Sequence, residues 1–342
     1  MIPNLRSEIR FLRKYNGASI YIKRDDMIPF SFGGNKVRIA AELFEDAKKK
    51  HCDMMISYGS RASNLNRVVV HMAGALEMKC TVICKDEDSD NTAGFAEAAD
   101  EKAMDIGPEG FNASMVKASG AEIVHCRREN VRETVERVFC EAESEGFRPY
   151  YVYGNSCGTG NEAVCARAYE KAFHEITEYE EEKGIGFDRI FTATGTGMTQ
   201  AGLIAGSLRL NSDKKSIIQG ISIARDREKA RDSVLSSLLA CGFGKEVSDA
   251  INISDDYLFG GYGKYDEAVE NTVLRLMNTY GIPSDPCYSG KAFYGMLKEI
   301  EKKELSGNIL FIHTGGTAGF FDMLKRREAS ERRQCFGDGR GE

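Results

Sequence analysis

Apolar positions along the chain follow two patterns that alternate. Short apolar runs such as MMISYG at 54–59 are typical of buried strands, whereas segment 35–50 has its apolar residues at the spacing of one helix face. The predicted strands are 21–24, 54–59, 81–85, 122–126, 150–154, 189–195, 216–223 and 309–315. The predicted helices are 35–50, 63–78, 128–143, 198–210, 228–241, 266–280 and 290–304. This alternation predicts an α/β protein whose parallel sheets are covered by helices on both faces.

Length and charge limit the classes of protein that fit this pattern. A chain of 342 residues predicts about two domains. Its net charge of −6 disfavours nucleic-acid and anionic-membrane partners, because both need clustered positive charge. The longest apolar runs are far shorter than the roughly 20 residues of a membrane span, and the N-terminal segment lacks the apolar stretch of a secretory signal. Segments 86–92 and 178–186 and the residues after Lys325 are predicted to be the least ordered.

The cysteines indicate an intracellular protein without a structural metal. Ten cysteines are scattered along the chain without a CxxC pair and with few histidines nearby. This spacing matches neither a zinc site nor the disulfide framework of a small secreted domain. We therefore expect reduced thiols, no metal site and a cytoplasmic location.

Two glycine-rich turns each lie between a predicted strand and a helix. The first, ATGTGMTQAG at 193–202, would leave backbone N–H groups uncovered at a helix N-terminus, which is suited to bind phosphate. It is neither a Walker A loop nor the dinucleotide fingerprint, because Gln200 stands where the third glycine would fall. The second turn is HTGGTAG at 313–319, in which His313 is expected to be a packed residue. Turns at the carboxyl ends of different strands predict one shared crevice.

Lys36 follows Gly33 and Gly34 directly and begins the first predicted helix. Glycines there would let the backbone approach a bound molecule closely, and a partly buried lysine would be neutral often enough to react with an aldehyde. Together with a phosphate site, this favours a Schiff base with pyridoxal phosphate. An ordinary helix start explains the same glycines, so the residues alone leave both interpretations open.

Six motifs in the same order resemble a known family. They are YIKRDD–GGNKVR, SRASNLNR, TGTGMTQAG, GGYG, DPCYSGKA and FIHTGG, between about Tyr21 and Phe321. They resemble the fold-type II pyridoxal phosphate enzymes of the tryptophan synthase β-like group, and within it the 1-aminocyclopropane-1-carboxylate deaminase and D-cysteine desulfhydrase branch. The resemblance implies two open, mostly parallel, twisted sheets covered by helices. It also implies a large domain of residues 1–49 and 156–342 and a small domain of residues 50–155 that contributes Ser63 and Asn64.

The resemblance assigns roles to individual residues of this chain. The implied catalytic residues are Lys36, which forms the Schiff base and moves the α-proton, Ser63 and Tyr288. The implied cofactor-binding residues are Lys36, Asn64, Gly195, Thr196, Gly197, Met198, Thr199 and Ser289. The implied substrate-binding residues are Ser63, Asn64, Tyr262 and Tyr288.

Differences from the branch bear on the reaction. The cyclopropane deaminases have a glutamate at the position of Ser289, which faces the pyridine nitrogen, and a second tyrosine whose nearest match here is Phe259. Both differences argue against cyclopropane opening. Arg61 is also unexpected in the branch; it would bind a second acidic group of the substrate if it faces the pocket, and would have no role if it faces solvent.

Three functions remain open from the sequence. The first is a lyase that performs α,β-elimination on a small amino acid and gives a 2-oxo acid and ammonia. The second keeps the cofactor but performs β-replacement or racemisation. The third is a protein that binds pyridoxal phosphate without turnover. The resemblance also implies a homodimer.

Overall fold

The computed structural model describes residues 4–85, 110–210 and 217–337. Within them, one sheet has six strands in the order β1-β2-β10-β7-β8-β9, and a second has four in the order β5-β4-β3-β6. The six-stranded sheet consists of β1 (Ile9–Tyr15), β2 (Ala18–Arg24), β7 (Arg189–Thr194), β8 (Ile218–Ser222), β9 (Asn252–Ser254) and β10 (Gly307–His313). The four-stranded sheet consists of β3 (Met54–Gly59), β4 (Lys79–Lys85), β5 (Glu122–Cys126) and β6 (Pro149–Tyr151).

Helices cover both sheets, and the described part of the chain has ten. They are α1 (Asn35–Lys49), α2 (Asn64–Ala75), α3 (Phe111–Ala118), α4 (Val131–Ser144), α5 (Glu162–Lys183), α6 (Met198–Arg209), α7 (Arg227–Ala240), α8 (Glu267–Tyr280), α9 (Ser289–Lys302) and α10 (Thr317–Gly337). The strand pairs are parallel except for β1 with β2, which is antiparallel. The predicted α/β class with two mostly parallel sheets is confirmed. No described helix is long and apolar enough to span a membrane.

The chain path separates the two sheets. All four strands of the smaller sheet come from the stretch between β3 and β6, whereas the larger sheet takes its strands from before and after that stretch. This path is compatible with domain boundaries near residues 50 and 155, and the division into domains stays a prediction.

Several elements were absent from the prediction or differ from it. Strand β1 reads IRFLRKY and is mostly part-exposed at the sheet edge, so its charged residues hide the strand pattern. Helix α5 was not predicted, and it runs through most of 178–186, which was expected to be poorly ordered. Helix α10 likewise continues past Lys325 to Gly337 where a fraying tail was expected. Segment 86–92 lies outside the described residues.

Helices α5 and α6 pack unusually closely because α6 has glycines one turn apart. A Cβ atom at Gly206 would lie 2.8 Å from Cβ of Phe173 on α5. At Gly202 it would collide with the carbonyl oxygen of Ala166. This contact fixes α6, and with it the glycine-rich turn at its N-terminus, against α5.

A buried ionic cluster supports the segment that leads into α1. Asp25 is fully buried; its carboxylate pairs with Arg38 on α1 (3.0 Å) and accepts a hydrogen bond from Tyr169 on α5 (2.6 Å). Lys23 and Glu175 complete the cluster. The backbone carbonyl of Asp25 accepts the N–H of Gly34 (2.7 Å), so the cluster also holds the turn in front of Lys36.

Replacing Asp25 with Asn is expected to destabilise the fold near neutral pH. Burial opposes ionisation of Asp25, but Arg38 and Lys23 together hold the pKa of its carboxyl below the usual 3.8. A lowered native pKa contributes stability above the unfolded-state pKa, and this contribution is lost as the pH falls through the native value. Asp25→Asn should therefore lower the free energy of unfolding by about 3–5 kcal/mol at pH 7, as measured by urea unfolding.

The control is Glu182→Gln, which removes an exposed carboxylate paired with Lys183 and should have little effect. The difference between wild type and Asp25→Asn should shrink when unfolding is repeated in acid. Equal stability at pH 7 would contradict the role assigned to the cluster.

Candidate active site

A cavity of about 390 Å³ lies at the carboxyl ends of β7, β8 and β10. Both glycine-rich turns border it, which confirms the predicted shared crevice. The predicted site residues on its wall are Lys36, Ser63, Asn64, Gly195, Thr196, Gly197, Met198, Thr199, Tyr262 and Tyr288. Ser289 is the one predicted site residue that is not on the wall. In the described residues, no group of three His, Cys, Asp or Glu side chains could hold a metal ion.

The glycines before Lys36 are required by contacts within the protein. Gly33 and Gly34 have φ of 64° and 95°, in the region that favours glycine. A Cβ atom at Gly33 would collide with the carbonyl oxygen of Asp26, and one at Gly34 would lie 2.7 Å from that of Thr314. The turn therefore packs backbone to backbone against the turn after β10. This contact holds Lys36, the second residue of α1, at the cavity.

The surroundings of Lys36 favour a reactive amine. Burial lowers the pKa of the Lys36 ammonium, and Cys165 is the group that opposes this shift. Burial also raises the pKa of the Cys165 thiol to about 12, so the thiol is neutral at pH 7 and offers no counter-charge. A lysine that loses its proton more readily than usual is suited to condense with an aldehyde and to accept a proton.

The turn at the start of α6 can bind an anion. Gly197 is the N-cap residue, with φ of 86°, and no side chain caps the helix. A Cβ atom at Gly197 would lie 3.0 Å from Val234 on α7, so close packing as well as φ requires the glycine. The uncapped N–H groups and the helix dipole favour a phosphate at this end. Thr199 adds a hydroxyl, which accepts a hydrogen bond from Asn35 beside Lys36 (3.1 Å).

Gln200 explains why the turn departs from the dinucleotide fingerprint. Its side chain is fully buried, accepts a hydrogen bond from Thr194 (2.8 Å) and donates one to the backbone of Asn252 (2.8 Å). The amide thus joins α6 to β7 and β9. It has a packing role that a third glycine would not fill.

Arg225 is a site residue that the sequence analysis missed. It follows β8 and lies on the cavity wall, where its guanidinium donates to the carbonyl of Gly195 (3.2 Å) and to Ser233 on α7 (2.6 Å). The contact fixes the anion turn and adds a positive charge beside it. The sequence offered one signal for Arg225, which was its position. Arg225 follows the end of β8 as Gly195 follows the end of β7, and the ends of parallel strands lie at the same edge of a sheet.

Ser63 and Asn64 also border the cavity, at the start of α2. Ser63 is the N-cap residue, and its Oγ accepts the N–H of Asn66 (3.2 Å), which leaves its own proton available to donate. Asn64 Oδ1 accepts from Arg67 (2.8 Å) and Asn112 (3.1 Å). These two donors fix the amide so that Nδ2 remains as a donor.

Arg67 is a second residue that the sequence did not indicate. It is buried and donates to three neutral oxygens, and in the described residues it has no salt bridge to a carboxylate. Burial lowers the pKa of its guanidinium to about 10. Arg67 therefore adds an unneutralised positive charge behind Asn64.

Two tyrosines meet at the mouth of the cavity. The hydroxyls of Tyr262 and Tyr288 lie 2.8 Å apart, and their rings pack edge to face with centroids 5.8 Å apart. Desolvation raises the pKa of Tyr262 to about 12 and that of Tyr288 well above its usual value. Both phenols are therefore protonated at pH 7 and can act as hydrogen-bond donors.

The match of Phe259 to the second tyrosine of the branch is wrong in space. Phe259 has φ of 53°, and its ring packs against Tyr294 with centroids 5.8 Å apart; it is not on the cavity wall. Tyr262, three residues later, contacts Tyr288 instead. The argument against cyclopropane opening therefore rests on Ser289 alone.

Ser289 is hydrogen-bonded to Asp285, which borders the cavity, but does not border the cavity itself. Its hydroxyl donates to Asp285 Oδ1 (2.8 Å) and accepts the backbone N–H of Asp285 (3.2 Å). Asp285 is the only acidic residue among the described residues of the wall, and its carboxylate also accepts the backbone N–H of Tyr288 (2.7 Å). The contact of Ser289 with the cofactor's ring nitrogen stays a prediction.

Two other residues named from the sequence are not on the wall. His313 is fully buried and bonded to Ser284 (2.7 Å), in agreement with the packed role expected of it. Arg61 borders a neighbouring cavity of about 770 Å³, which shares Ser60 with the first. Its Nε is buried without a partner among the described residues, and its part in substrate binding stays a prediction.

Comparison with known proteins identifies the family. A family model described as pyridoxal-phosphate dependent enzyme matches residues 6–315. The D-cysteine desulfhydrase of Yersinia enterocolitica is 31% identical over 315 residues, and that of Salmonella typhi is 29% identical over 314; each match covers 91% of this chain and 90% of the relative. A solved ACC deaminase homologue has a TM-score of 0.77 at 29% identity and covers 95% of this chain and 94% of its own. The predicted fold type and cofactor are confirmed, and the chain belongs to the pyridoxal-phosphate dependent enzymes.

Proposed function

We propose that the chain is a lyase that performs α,β-elimination on a small amino acid, with D-cysteine as the first candidate substrate. The observation that carries the proposal is one cavity that joins a lysine of lowered pKa, an anion-binding helix end and a pair of protonated tyrosines. Relatives named D-cysteine desulfhydrase over nine-tenths of the chain support the same reaction class.

The wall has the groups that pyridoxal phosphate needs. The helix end at Gly197 to Thr199 would hold the phosphate, with Arg225 fixing the turn. Lys36 would hold the aldehyde carbon, and Asn64 Nδ2 would donate to the ring hydroxyl. Bound there, the cofactor supplies an aldehyde that condenses with amines and a ring that withdraws electrons from the substrate's α-carbon.

Lys36 moves the α-proton in this proposal. Its lowered pKa makes the neutral amine more available as a base than that of an ordinary lysine. Ser63 borders the same cavity with a hydroxyl proton left to donate, so in this proposal it binds the substrate carboxylate and orients the α-carbon toward Lys36.

The tyrosine pair would act on the leaving group at the β-carbon. Because both phenols keep their protons, Tyr288 would donate a hydrogen bond to the departing sulfur while Tyr262 holds the Tyr288 hydroxyl in place. For D-cysteine, loss of hydrogen sulfide followed by uptake of water gives pyruvate and ammonia. The overall reaction converts one D-cysteine and one water into one pyruvate, one ammonia and one hydrogen sulfide.

The alternatives differ in the fate of the deprotonated substrate. A β-replacement enzyme would need a site for a second nucleophile, and a racemase would need a proton donor on each face of the substrate. The O-ureido-L-serine synthase structure, with a TM-score of 0.62 at 15% identity, shares only the fold. A protein without turnover would not need the Lys36, Ser63 and Tyr288 arrangement. The homodimer and the cytoplasmic location stay predictions.

We expect that assaying 2-oxo acid formation from a panel of D- and L-amino acids will identify the substrate. The panel contains cysteine, serine, chloroalanine, diaminopropionate, cysteate and the cyclopropane acid. D-cysteine should give 2-oxo acid and sulfide without a second nucleophile, and Lys36→Ala should abolish both. A visible absorbance band of bound cofactor should be present in the wild type and altered in Lys36→Ala.

The matched control for Lys36→Ala is Lys298→Ala, an exposed lysine outside the cavity that should leave band and rate unchanged. A band that shifts with an amino acid but gives no 2-oxo acid would favour replacement or racemisation. If only the cyclopropane acid gave 2-oxo acid, the substrate would be the cyclopropane acid and not D-cysteine. A wild type that binds no pyridoxal phosphate would overturn the proposal.

Removing the hydroxyl of Tyr288 is expected to slow turnover more than it weakens binding. We expect Tyr288→Phe to lower kcat by about 10²-fold or more, the lower end for loss of a proton donor. Tyr262→Phe should have a smaller effect, because it acts through Tyr288. In the double variant the two losses should not add, because the hydroxyls work as one unit. Steady-state kinetics with the substrate from the panel would measure these losses.

Tyr294→Phe is the control, since that ring packs against Phe259 outside the cavity. Equal kinetics for Tyr288→Phe and wild type would remove Tyr288 from the mechanism. Fully additive losses would mean that the two hydroxyls act independently.

A further inference from the structure

Lys291 is a buried lysine that the proposed reaction does not use. It lies on α9, three residues after Tyr288, and its side chain is fully buried. Its Nζ donates to the backbone carbonyls of Ile223 (3.0 Å), Leu258 (3.1 Å) and Gly261 (3.1 Å). An ammonium has three N–H donors, so the three carbonyls account for all of them.

The charge of this ammonium has no carboxylate partner. In the described part of the chain, no salt bridge includes Lys291, so the groups nearest to the charge are the three carbonyl oxygens and the Phe259 ring, whose centroid lies 5.9 Å from Nζ. Burial lowers the pKa of the ammonium, whereas Cys287 and Asp285 oppose this shift. Proteins bind a dehydrated potassium ion in a similar way, by surrounding its positive charge with several carbonyl oxygens.

The three carbonyls come from segments that would otherwise be separate. Ile223 directly follows β8, whereas Leu258 precedes the turn that carries Tyr262 and Gly261 is part of that turn. That turn has three successive residues with positive φ, which are Phe259 (53°), Gly260 (92°) and Gly261 (122°). Phe259 is an unfavourable residue for this conformation, so a contact must hold the turn.

We propose that the Lys291 ammonium fills a monovalent-cation site made of the carbonyl oxygens of Ile223, Leu258 and Gly261, and that the cation at this site holds Tyr262 against Tyr288. Lys291 is a positioning residue, because it does not border the cavity itself and acts through Ile223 and the turn that it binds. Because this cation is the side chain of Lys291 on α9, the wild-type protein needs no dissolved ion at the site. This inference concerns the chain's own residues and does not depend on which amino acid is the substrate.

The test is rescue of Lys291→Ala by a dissolved cation. n-Propylammonium replaces the atoms that the substitution removes, and K⁺ supplies the charge alone. Tetramethylammonium has the same charge but no N–H donor, so it controls for ionic strength. The first readout is the midpoint of thermal unfolding followed by near-UV circular dichroism, which reports tyrosines because the chain has 14 Tyr and no Trp. The second is the rate of tryptic cleavage after Lys264, just beyond the turn.

We expect Lys291→Ala to unfold several degrees below wild type and to be cleaved faster at Lys264. n-Propylammonium or K⁺ should raise the midpoint in a saturable way and slow the cleavage, because a ligand that binds only the folded state stabilises it. Tetramethylammonium should do neither. The midpoint of wild type and of Lys298→Ala, which lacks an exposed lysine of the same helix, should not depend on which cation is present.

Lys291→Met separates the charge from the packing of the side chain. It keeps an unbranched apolar stem but has no donor, and the stem blocks the site, so no cation should rescue it. A Lys291→Met protein with wild-type midpoint and cleavage rate would overturn the proposal. So would a Lys291→Ala protein that responds equally to all three cations, or that stays unfolded in every salt. The unfolding midpoint and the cleavage rate do not require turnover. This proposal and the proposed lyase function can therefore fail independently of each other.

Discussion

Close contact between two backbone turns determines where the reactive groups lie. The turn before α1 and the turn after β10 touch at Gly34 and Gly315, where a Cβ atom on Gly315 would lie 2.8 Å from Cα of Gly34. The N–H of Asn35 donates to the carbonyl of Thr314 (3.0 Å), and its side chain donates to Thr199. One contact therefore connects the lysine, the second glycine-rich turn and the anion-binding helix end. A side chain at either glycine would move all three apart.

Charged side chains on and around the cavity wall maintain this arrangement from several sides. The Asp25 cluster supports the turn before Lys36, Arg225 fixes the anion turn, Arg67 orients Asn64 and Lys291 binds the turn that carries Tyr262. Three of these four groups are cations that donate mainly to backbone or amide oxygens. Such contacts orient the backbone without introducing a negative charge, which would repel an anionic phosphate and a substrate carboxylate.

The sequence predicted the cavity more completely than the periphery. Buried strands, glycine turns and Lys36 have local signals, because turn conformation and apolar periodicity depend on nearby residues. Strand β1 and helix α5 were missed because edge exposure and a long polar face dilute those signals. Arg67 and Lys291 could not be recognised, because a buried arginine or lysine resembles a surface one until the fold brings oxygens to it, and the only signal for Arg225 was its position after a strand. Phe259 was matched by its place in a motif, whereas the positive φ values of its turn bring Tyr262 to the cavity.

The hydrogen bonds around Asp285 bear on which reaction the cavity supports. Its side chain accepts the N–H groups of Cys287, Tyr288 and Ser289 and the hydroxyl of Ser289, so its oxygens are used within the turn that leads into α9, while burial raises the pKa of the carboxyl. Because Ser289 gives its proton to Asp285, it has none left for a pyridine nitrogen, and a neutral hydroxyl would not keep that nitrogen protonated. An unprotonated ring withdraws electrons less strongly. This setting suits a reaction in which electrons leave with a β-substituent, as in loss of sulfide, better than one in which the ring must hold them.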